Sequence, residues 1–146
     1  MDKAIQLSIP LPRSLDSRIY ISLTVGQKSI LLFLTTASAE ELAVAPPLGS
    51  FVYALPDKFN PSLPLSTPLY TVEPTLEFTS RLAKLLAGKT QRPVYVGNSV
   101  SFAGAGLGGT VEEEIEAFRN VVKVVLSRLE GIIGSAEAVA NGVSSS

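Results

Sequence analysis

The segment from Arg81 to Phe118 reads RLAKLLAGKTQRPVYVGNSVSFAGAGLGGTVEEEIEAF, and the order of elements in the fold is most evident there. Its first part has the apolar spacing of a helix, and Gly88 stands where a glycine commonly ends one. Residues 94–96 (VYV) then form a short strand, which continues toward Phe102. Glycines follow over residues 104–109, and a second helix begins at Thr110. The stretch therefore predicts a helix, a strand, a glycine-rich loop and a second helix, in that order.

The glycine-rich loop admits two interpretations. Residues 104–109 (GAGLGG) match the pattern G-x-G-x-x-G, in which glycines let the backbone approach a pyrophosphate at a helix N-terminus. However, the first helical turn carries Glu112, Glu113 and Glu114, which would repel a phosphate, and no strand follows the helix to complete a βαβ unit. We favour a connecting loop, and a nucleotide-binding protein that uses residues 104–109 is the alternative function.

The composition excludes several classes of protein. The chain has 146 residues, so we predict a single domain over residues 1–133 and a disordered tail over residues 134–146. It has no cysteine and no histidine, which removes disulfides, Ser-His or Cys-His catalysis and nearly all zinc sites. From the residues alone we assign no catalytic residue and no metal site. Ser80 and Lys84 stand one helical turn apart, but no oxyanion loop accompanies them, so a Ser/Lys hydrolase is disfavoured.

Charge and hydropathy indicate a protein partner. The formal net charge of −1 gives no general attraction to nucleic acid or to anionic membranes, so we expect neither as a partner. The N-terminus lacks the apolar segment of a signal peptide, and a soluble intracellular protein is expected. Only 17% of the residues are charged, against about 25% in typical domains, and the mean hydropathy is +0.33. A small domain of this composition is expected to cover apolar surface with another chain.

Before Arg81, alternating apolar and polar residues predict strands. The predicted strands are Ile5 to Leu11, Arg18 to Val25, Ser29 to Thr35, Ser50 to Leu55 and Leu65 to Val72. The third is more continuously apolar than the others, as expected of a strand that is covered on both faces. With residues 94–96, the strands predict an α+β fold: a mainly antiparallel six-stranded sheet with two principal helices packed on it.

Both helices offer candidate partner-binding residues. Pro74 favours a helix start there, with Glu73 or Thr75 as the cap, and Arg81 and Lys84 lie in the second half of that helix. Thr110 and Glu113 have the spacing of a capping box. In the long helix, apolar residues repeat at intervals of four and three: Val111, Ile115, Phe118, Val122, Val125, Leu129 and Ile132. Such a stripe is either deeply buried or shared between two chains. The candidates are Ile115, Phe118, Val122, Val125, Arg81 and Lys84.

Residues 82–90 (LAKLLAGKT), followed by residues 94–96 (VYV), resemble fungal-type members of the proteasome assembly chaperone 4 family. The acidic helix start at residues 112–118 (EEEIEAF), the strand around residues 68–70 (PLY) and the hairpin over residues 19–34 are similar to the same family. The likeness covers roughly residues 19–118. The chain departs from the family at its N-terminal strand, at the glycine loop and in the helix extension from Arg119 to Ile133.

The resemblance implies a non-enzymatic chaperone without a cofactor. It implies a heterodimer with a protein like proteasome assembly chaperone 3, which holds 20S proteasome α-subunits during α-ring assembly and leaves before maturation. It also implies a cytoplasmic location, with the nucleus as a second compartment. Which surface meets the partner chaperone and which meets the α-subunit is open at this point.

Overall fold

The computed structural model describes residues 3–14, 17–38, 49–57, 59–60, 63–102 and 106–134. The six strands are β1 (Lys3–Pro10), β2 (Ser17–Val25), β3 (Ile30–Ser38), β4 (Ser50–Leu55), β5 (Leu65–Tyr70) and β6 (Val94–Ser99). The helices are α1 (Glu73–Thr90) and α2 (Val111–Leu129), and α2 runs into one turn of π-helix over Glu130–Gly134. The tail predicted for the C-terminus lies, from residue 135 onward, outside the described residues, and its disorder stays a prediction.

The strands form one sheet in the order β1-β2-β3-β6-β4-β5. Every neighbouring pair is antiparallel except β3 and β6, which are parallel. The β4–β5 hairpin and α1 lie in sequence between these two parallel strands, since parallel neighbours need a long crossover connection. The predicted α+β class, with a mainly antiparallel six-stranded sheet and two principal helices, is confirmed.

The core lies between one face of the sheet and the two helices. On β2, Ile19, Ile21 and Leu23 are buried beneath the helices, while Tyr20 and Ser22 alternate onto the opposite face. α1 packs against β4 and β6. α2 lies toward the β1 end of the sheet, where it forms a groove with the end of that strand. Both helices contribute to one continuous hydrophobic core.

The prediction that the third strand is covered on both faces is wrong. Leu32 and Leu34 of β3 are buried in the core, but Phe33 between them is 39% exposed. The helices lie on one side of the sheet only, so the side chains of Leu31 and Phe33 reach a face that no described element covers. The continuous apolar run of β3 thus serves a buried face and an open one.

The ends of α1 also differ from the prediction. The cap is Val72, which makes no side-chain cap hydrogen bond, rather than Glu73 or Thr75. A buried network supports this end instead, in which Ser50 Oγ donates to Val72 O at 2.9 Å and Thr75 Oγ1 accepts from Ser50 N at 3.1 Å. The helix continues past Gly88 to Thr90 and ends at Gln91, whose φ of 55° is left-handed. Among the described residues, no helix combines the length and apolar content that crossing a bilayer requires.

Candidate docking surfaces

The sheet face turned away from the helices is rich in aromatic side chains. We call it the open face; its large apolar and aromatic members are Tyr20, Leu31, Phe33, Phe51, Tyr53, Leu55, Leu65, Tyr70 and Tyr95. The rings of Phe33 and Phe51 stack with centroids 6.0 Å apart and planes within 8°. Tyr95 continues the row at 6.0 Å from Phe51 and 4.6 Å from Tyr53. The row runs across β3, β6 and β4 and forms a continuous aromatic surface.

Gly97 makes this aromatic row possible. In the sheet register, it lies directly between Phe33 of β3 and Phe51 of β4. A Cβ atom at this position would lie 2.5 Å from Cδ1 of Phe33 and 3.4 Å from Cδ1 of Phe51. The missing side chain therefore lets the two rings lie flat over the glycine and stack on each other. Such an arrangement resembles the way aromatic neighbours cover strand glycines in other sheets.

The open face has almost no charge. Among the described strand residues that point to this side, only Arg18 is charged, and it lies near the β1 edge. Its Nε donates to Ser8 Oγ at 3.2 Å, and its Nη2 donates to Ser8 O at 3.3 Å. Aromatic enrichment with depletion of charge is typical of the buried centre of a protein–protein interface. The chemistry of the open face therefore suits a protein surface better than water.

A hollow of 290 Å³ interrupts the open face beside the aromatic row. Its wall includes Tyr20, Phe33, Gly97 and Ser99. The hydroxyl of Thr35, which also lines the hollow, is buried and has no hydrogen-bond partner among the described residues. Buried polar atoms without a partner are rare in folded proteins, since each costs free energy. The hollow therefore offers a cavity to an incoming side chain, with an unsatisfied hydroxyl buried in its wall.

The predicted partner-binding residues of α2 differ in burial. Val125 is fully buried in the core, and Ile115 is 44% exposed. Phe118 and Val122 are half-buried, and the Phe118 ring packs edge-on against Phe78 of α1 with centroids 5.2 Å apart. The fully buried stripe instead comprises Glu113, Ala117, Val121, Val125 and Leu129. The buried stripe is rotated about the helix axis relative to the predicted stripe. It includes Ala117, which is small, and Glu113, which is charged, whereas the prediction considered only large apolar residues.

The two candidate cations on α1 are solvent-exposed. Arg81 Nε lies 3.9 Å from Glu77 Oε1, and both side chains are mostly exposed, so the pair contributes little to stability. Lys84 is exposed one turn further along the helix. Within the described part of the chain, no hydrogen bond joins Lys84 to Ser80. Nor do the described residues bring three acids together where they could hold a metal.

Glu113 is buried, and its carboxylate binds the glycine loop. Its Oε1 accepts hydrogen bonds from the amides of Gly109 and Thr110 at 2.9 and 3.0 Å, and its Oε2 accepts from the amide of Leu107 at 2.9 Å. In return, Glu113 N donates to Thr110 Oγ1 at 3.2 Å, which completes the predicted capping box. Burial raises the pKa of Glu113, but the hydrogen bonds from these amides and from Thr110 together bring the pKa below its ordinary value.

This arrangement weighs against the nucleotide-binding alternative. A phosphate on a glycine loop is held by backbone amides, but the carboxylate of Glu113 already occupies three of them. Gly108 and Gly109 have φ values of 79° and 98°, so glycine is needed here for the turn itself. The loop therefore has a structural reason for its glycines and an internal anion where a phosphate would lie. The capping-box spacing was the sequence signal for this contact, but it did not show that the carboxylate also reaches Leu107.

A second apolar surface lies where the glycine loop meets α2. Leu107, Val111 and Ile115 are 59%, 70% and 44% exposed, respectively. Three exposed glutamates surround them: Glu112, Glu114 and Glu116. We call these six residues the helix-start patch. It lies on the helix layer, whereas the open face lies on the other side of the sheet.

The comparisons with known proteins agree with this fold. The family model described as proteasome assembly chaperone 4 matches residues 18–100, which is more than half of the chain. A chain of a solved chaperone complex for yeast 20S proteasome assembly superposes with a TM-score of 0.62 at 17% sequence identity. The superposition covers 89% of this chain and 96% of the yeast-complex chain, and it shows a shared fold. Among curated proteins, none matches the sequence.

The family match spans the strands that build the centre of the sheet and the whole of α1. It includes Phe33, Phe51 and Tyr95 of the open face, while α2 and its glycine loop lie beyond it. Because the family model accounts for more than half of the sequence, this chain belongs to the proteasome assembly chaperone 4 family.

Proposed function

We propose that this protein is a non-enzymatic chaperone that pairs through its open face with a second small chaperone of similar fold. The pair binds 20S proteasome α-subunits and promotes assembly of the α-ring. Membership of the family supports the general role in proteasome assembly. The aromatic, nearly uncharged open face is the observation that carries the proposal of a partner chaperone.

The shape of the open face favours a second sheet as its occupant. Two sheets pack face to face about 10 Å apart, with their inner side chains interdigitated. A partner of the same fold has an equivalent sheet face, which its own helices also leave uncovered. The yeast protein with the similar fold was solved within a chaperone complex, which is consistent with this fold working as part of an assembly.

The energetic reason for pairing is burial of the aromatic row. Full burial of a side chain such as phenylalanine is worth about 1.5–3 kcal/mol relative to exposure. Phe33 is 39% exposed, and Leu31, Phe51 and Tyr95 are partly exposed. The open face has almost no charged groups to desolvate, so little of this gain is offset by buried ions. We also propose that the pair acts in the cytoplasm and the nucleus, where its α-subunit clients would be met.

The test is to co-express the chain with a proteasome assembly chaperone 3-like protein of the same source and to measure their stoichiometry and affinity. We expect a 1:1 complex by light scattering. Phe33→Asp should weaken it by roughly a hundredfold or more, because a carboxylate would be buried without a partner. The free chain should stay folded, since Phe33 lies outside the core.

Phe59 provides the matched control. It is 93% exposed in the β4–β5 connection, so Phe59→Asp introduces the same change away from the aromatic row. We expect this variant to pair normally. Equal weakening by both variants would refute the role of the open face. Formation of a stable homodimer that excludes the second chaperone would refute the proposed partner.

A further inference from the structure

We propose that the helix-start patch is the surface that binds the α-subunit, and that it takes a segment in which Lys or Arg side chains surround an apolar anchor. This inference rests on the proposed function, because it assigns a place to the α-subunit contact. Four observations on the patch carry it: unused apolar side chains, a fixed loop, an excess of carboxylates and its position away from the open face.

The apolar residues of the patch lie outside the hydrophobic core. Val111 and Ile115 are one helical turn apart, so their side chains lie next to each other on the surface. The core uses other α2 positions, among them Ala117 and Val121, which are fully buried. Single exposed apolar residues are normal on a surface, whereas neighbouring ones with a polar rim indicate an interaction site.

The third apolar residue is held in place by Glu113. Leu107 is exposed, and its amide donates to the buried Glu113 carboxylate at 2.9 Å. The same carboxylate anchors Gly109 and Thr110. Because these hydrogen bonds already hold the backbone from Leu107 to Thr110, binding through Leu107 avoids much of the entropic cost of ordering a flexible segment. The loop and the first two turns of α2 thus present one preformed surface.

The charges around the patch indicate the chemistry of the occupant. Acids in the first turn of a helix stabilise its dipole, which accounts for Glu112 and Glu114 but not for Glu116 in the second turn. Within the described part of the chain, Glu116 lies 3.9 Å from Arg13, with both side chains about half exposed, and no ion pair involves Glu112 or Glu114. Arg119 lines the same surface as Glu112 and Glu116, and with Arg13 it leaves an excess of one carboxylate. A segment with Lys or Arg around its apolar side chain would satisfy the remaining negative charge.

The position of the patch allows two partners to bind together. The inner side of α2 packs into the core on the helix-covered side of the sheet. The partner chaperone is proposed to cover the opposite side. An α-subunit at the helix-start patch would therefore leave the open face free for that pairing.

The first experiment uses the purified heterodimer and each recombinant 20S α-subunit as the probe. Binding is measured by biolayer interferometry for the wild-type pair and for the double variant Val111→Ala/Ile115→Ala. Alanine is the best helix former, so α2 should remain intact. We expect α-subunit affinity to fall by roughly thirtyfold, as it does when an apolar anchor is lost. Affinity for the partner chaperone should be unchanged.

Phe59→Ala/Leu63→Ala is the matched control, because both side chains are exposed in the β4–β5 connection, outside the open face and far along the sequence from the patch. We expect this variant to bind the α-subunit normally. If the wild-type pair binds an α-subunit and the α2 double variant binds equally well, the assignment of the patch is wrong and the proposed function stands. If the wild-type pair binds no α-subunit, the proposed function and this inference both fail.

A second experiment tests the chemistry of the occupant. A photo-crosslinking residue at position 111 is activated in the complete complex, and the crosslinked peptide is identified by mass spectrometry. We expect an α-subunit peptide with Lys or Arg beside an apolar residue. A crosslink to the partner chaperone, to a second copy of this chain or to an acidic α-subunit peptide would overturn the proposal.

Discussion

The open face and the helix-start patch are both exposed apolar surfaces, but they are built in different ways. The open face is assembled from distant parts of the chain, because Phe33, Phe51 and Tyr95 meet only through pairing of β3, β6 and β4. It is broad, aromatic and nearly uncharged. The helix-start patch comes from ten consecutive positions, from Leu107 to Glu116, and is narrow and acidic. The difference indicates two partners of different chemistry rather than one extended interface.

Among these predictions, Gly97→Val should have the strongest effect on binding, and it should affect the open face without affecting the helix-start patch. A valine there would place Cβ where the Phe33 ring lies, 2.5 Å from Cδ1, and would displace that ring from its stack on Phe51. We expect pairing with the second chaperone to weaken by about a hundredfold. The displaced ring is partly exposed, so the free energy of unfolding in urea should change little. Thermal unfolding and pairing affinity are measured on the same sample.

The matched change for this prediction is Gly131→Val, because a Cβ atom at Gly131 meets nothing within 4 Å. That variant should pair normally. Normal pairing by Gly97→Val would mean that the stacked rings do not contribute to the interface. The aromatic row would then no longer distinguish binding at the open face from binding at the helix-start patch.

Glu113→Gln should affect the helix-start patch and leave the open face alone. A glutamine side chain replaces one acceptor oxygen with an NH₂ donor, which cannot pair with the amides that Glu113 now binds. We expect a loss of about 1–3 kcal/mol in the free energy of unfolding, measured by urea denaturation, because a buried amide loses its acceptor. Glu114→Gln is the control, since Glu114 is exposed. An equal effect of both changes would contradict the role given to the Glu113 carboxylate.

The lowered pKa of Glu113 adds a pH dependence with a defined sign. A carboxyl group whose pKa is lower in the folded state stabilises the fold above its unfolded pKa, and this contribution is lost as pH falls through the folded value. The wild-type protein should therefore lose stability below about pH 4 more steeply than Glu113→Gln does. Urea midpoints at neutral pH and at pH 3 would measure the difference, and parallel losses would contradict it.

Local patterns in the sequence predicted much of the fold. The alternation in β1 and β2 predicted strands with one buried face, and the structure places Ile19, Ile21 and Leu23 on that face. The spacing of Thr110 and Glu113 predicted the capping box that begins α2. These features depend on neighbours within a few residues, so a single sequence contains the information for them.

Other features depend on contacts that no local pattern records. The apolar outward residues of β3 suggested burial on both sides, because apolar spacing does not distinguish a covered face from an interface. The buried stripe of α2 differs from the predicted one because it includes Glu113. Three loop amides bind the Glu113 carboxylate and allow its burial, and no apolar pattern in the sequence indicates these contacts. The aromatic row was missed because it needs the parallel pairing of β3 with β6, strands that are far apart in the chain.

The NaCl concentration should change binding affinity at the helix-start patch more than at the open face. Binding at the helix-start patch is expected to depend on Glu112 and Glu116, so raising NaCl from about 50 to 500 mM should weaken α-subunit binding by roughly tenfold. Pairing through the nearly uncharged open face should change by less than about twofold. Glu112→Gln/Glu116→Gln should remove most of the salt dependence, whereas Glu73→Gln/Glu77→Gln on α1 should not. If α-subunit binding and pairing with the second chaperone depended equally on salt, the proposed difference between an acidic patch and a nearly uncharged face would be wrong.

The smallest expected effect concerns the hydroxyl of Thr35 in the hollow of the open face. In the free chain, this buried hydroxyl has no partner among the described residues, so Thr35→Val should leave the free energy of unfolding unchanged or raise it slightly. A partner side chain that enters the hollow and hydrogen-bonds to Thr35 would be worth about 1 kcal/mol, and its loss should weaken pairing about fivefold. Thr35→Ser retains the hydroxyl and should pair nearly normally. Stronger pairing by Thr35→Val would instead mean that the partner fills the hollow with an apolar side chain, because a methyl group would then replace an unsatisfied polar atom.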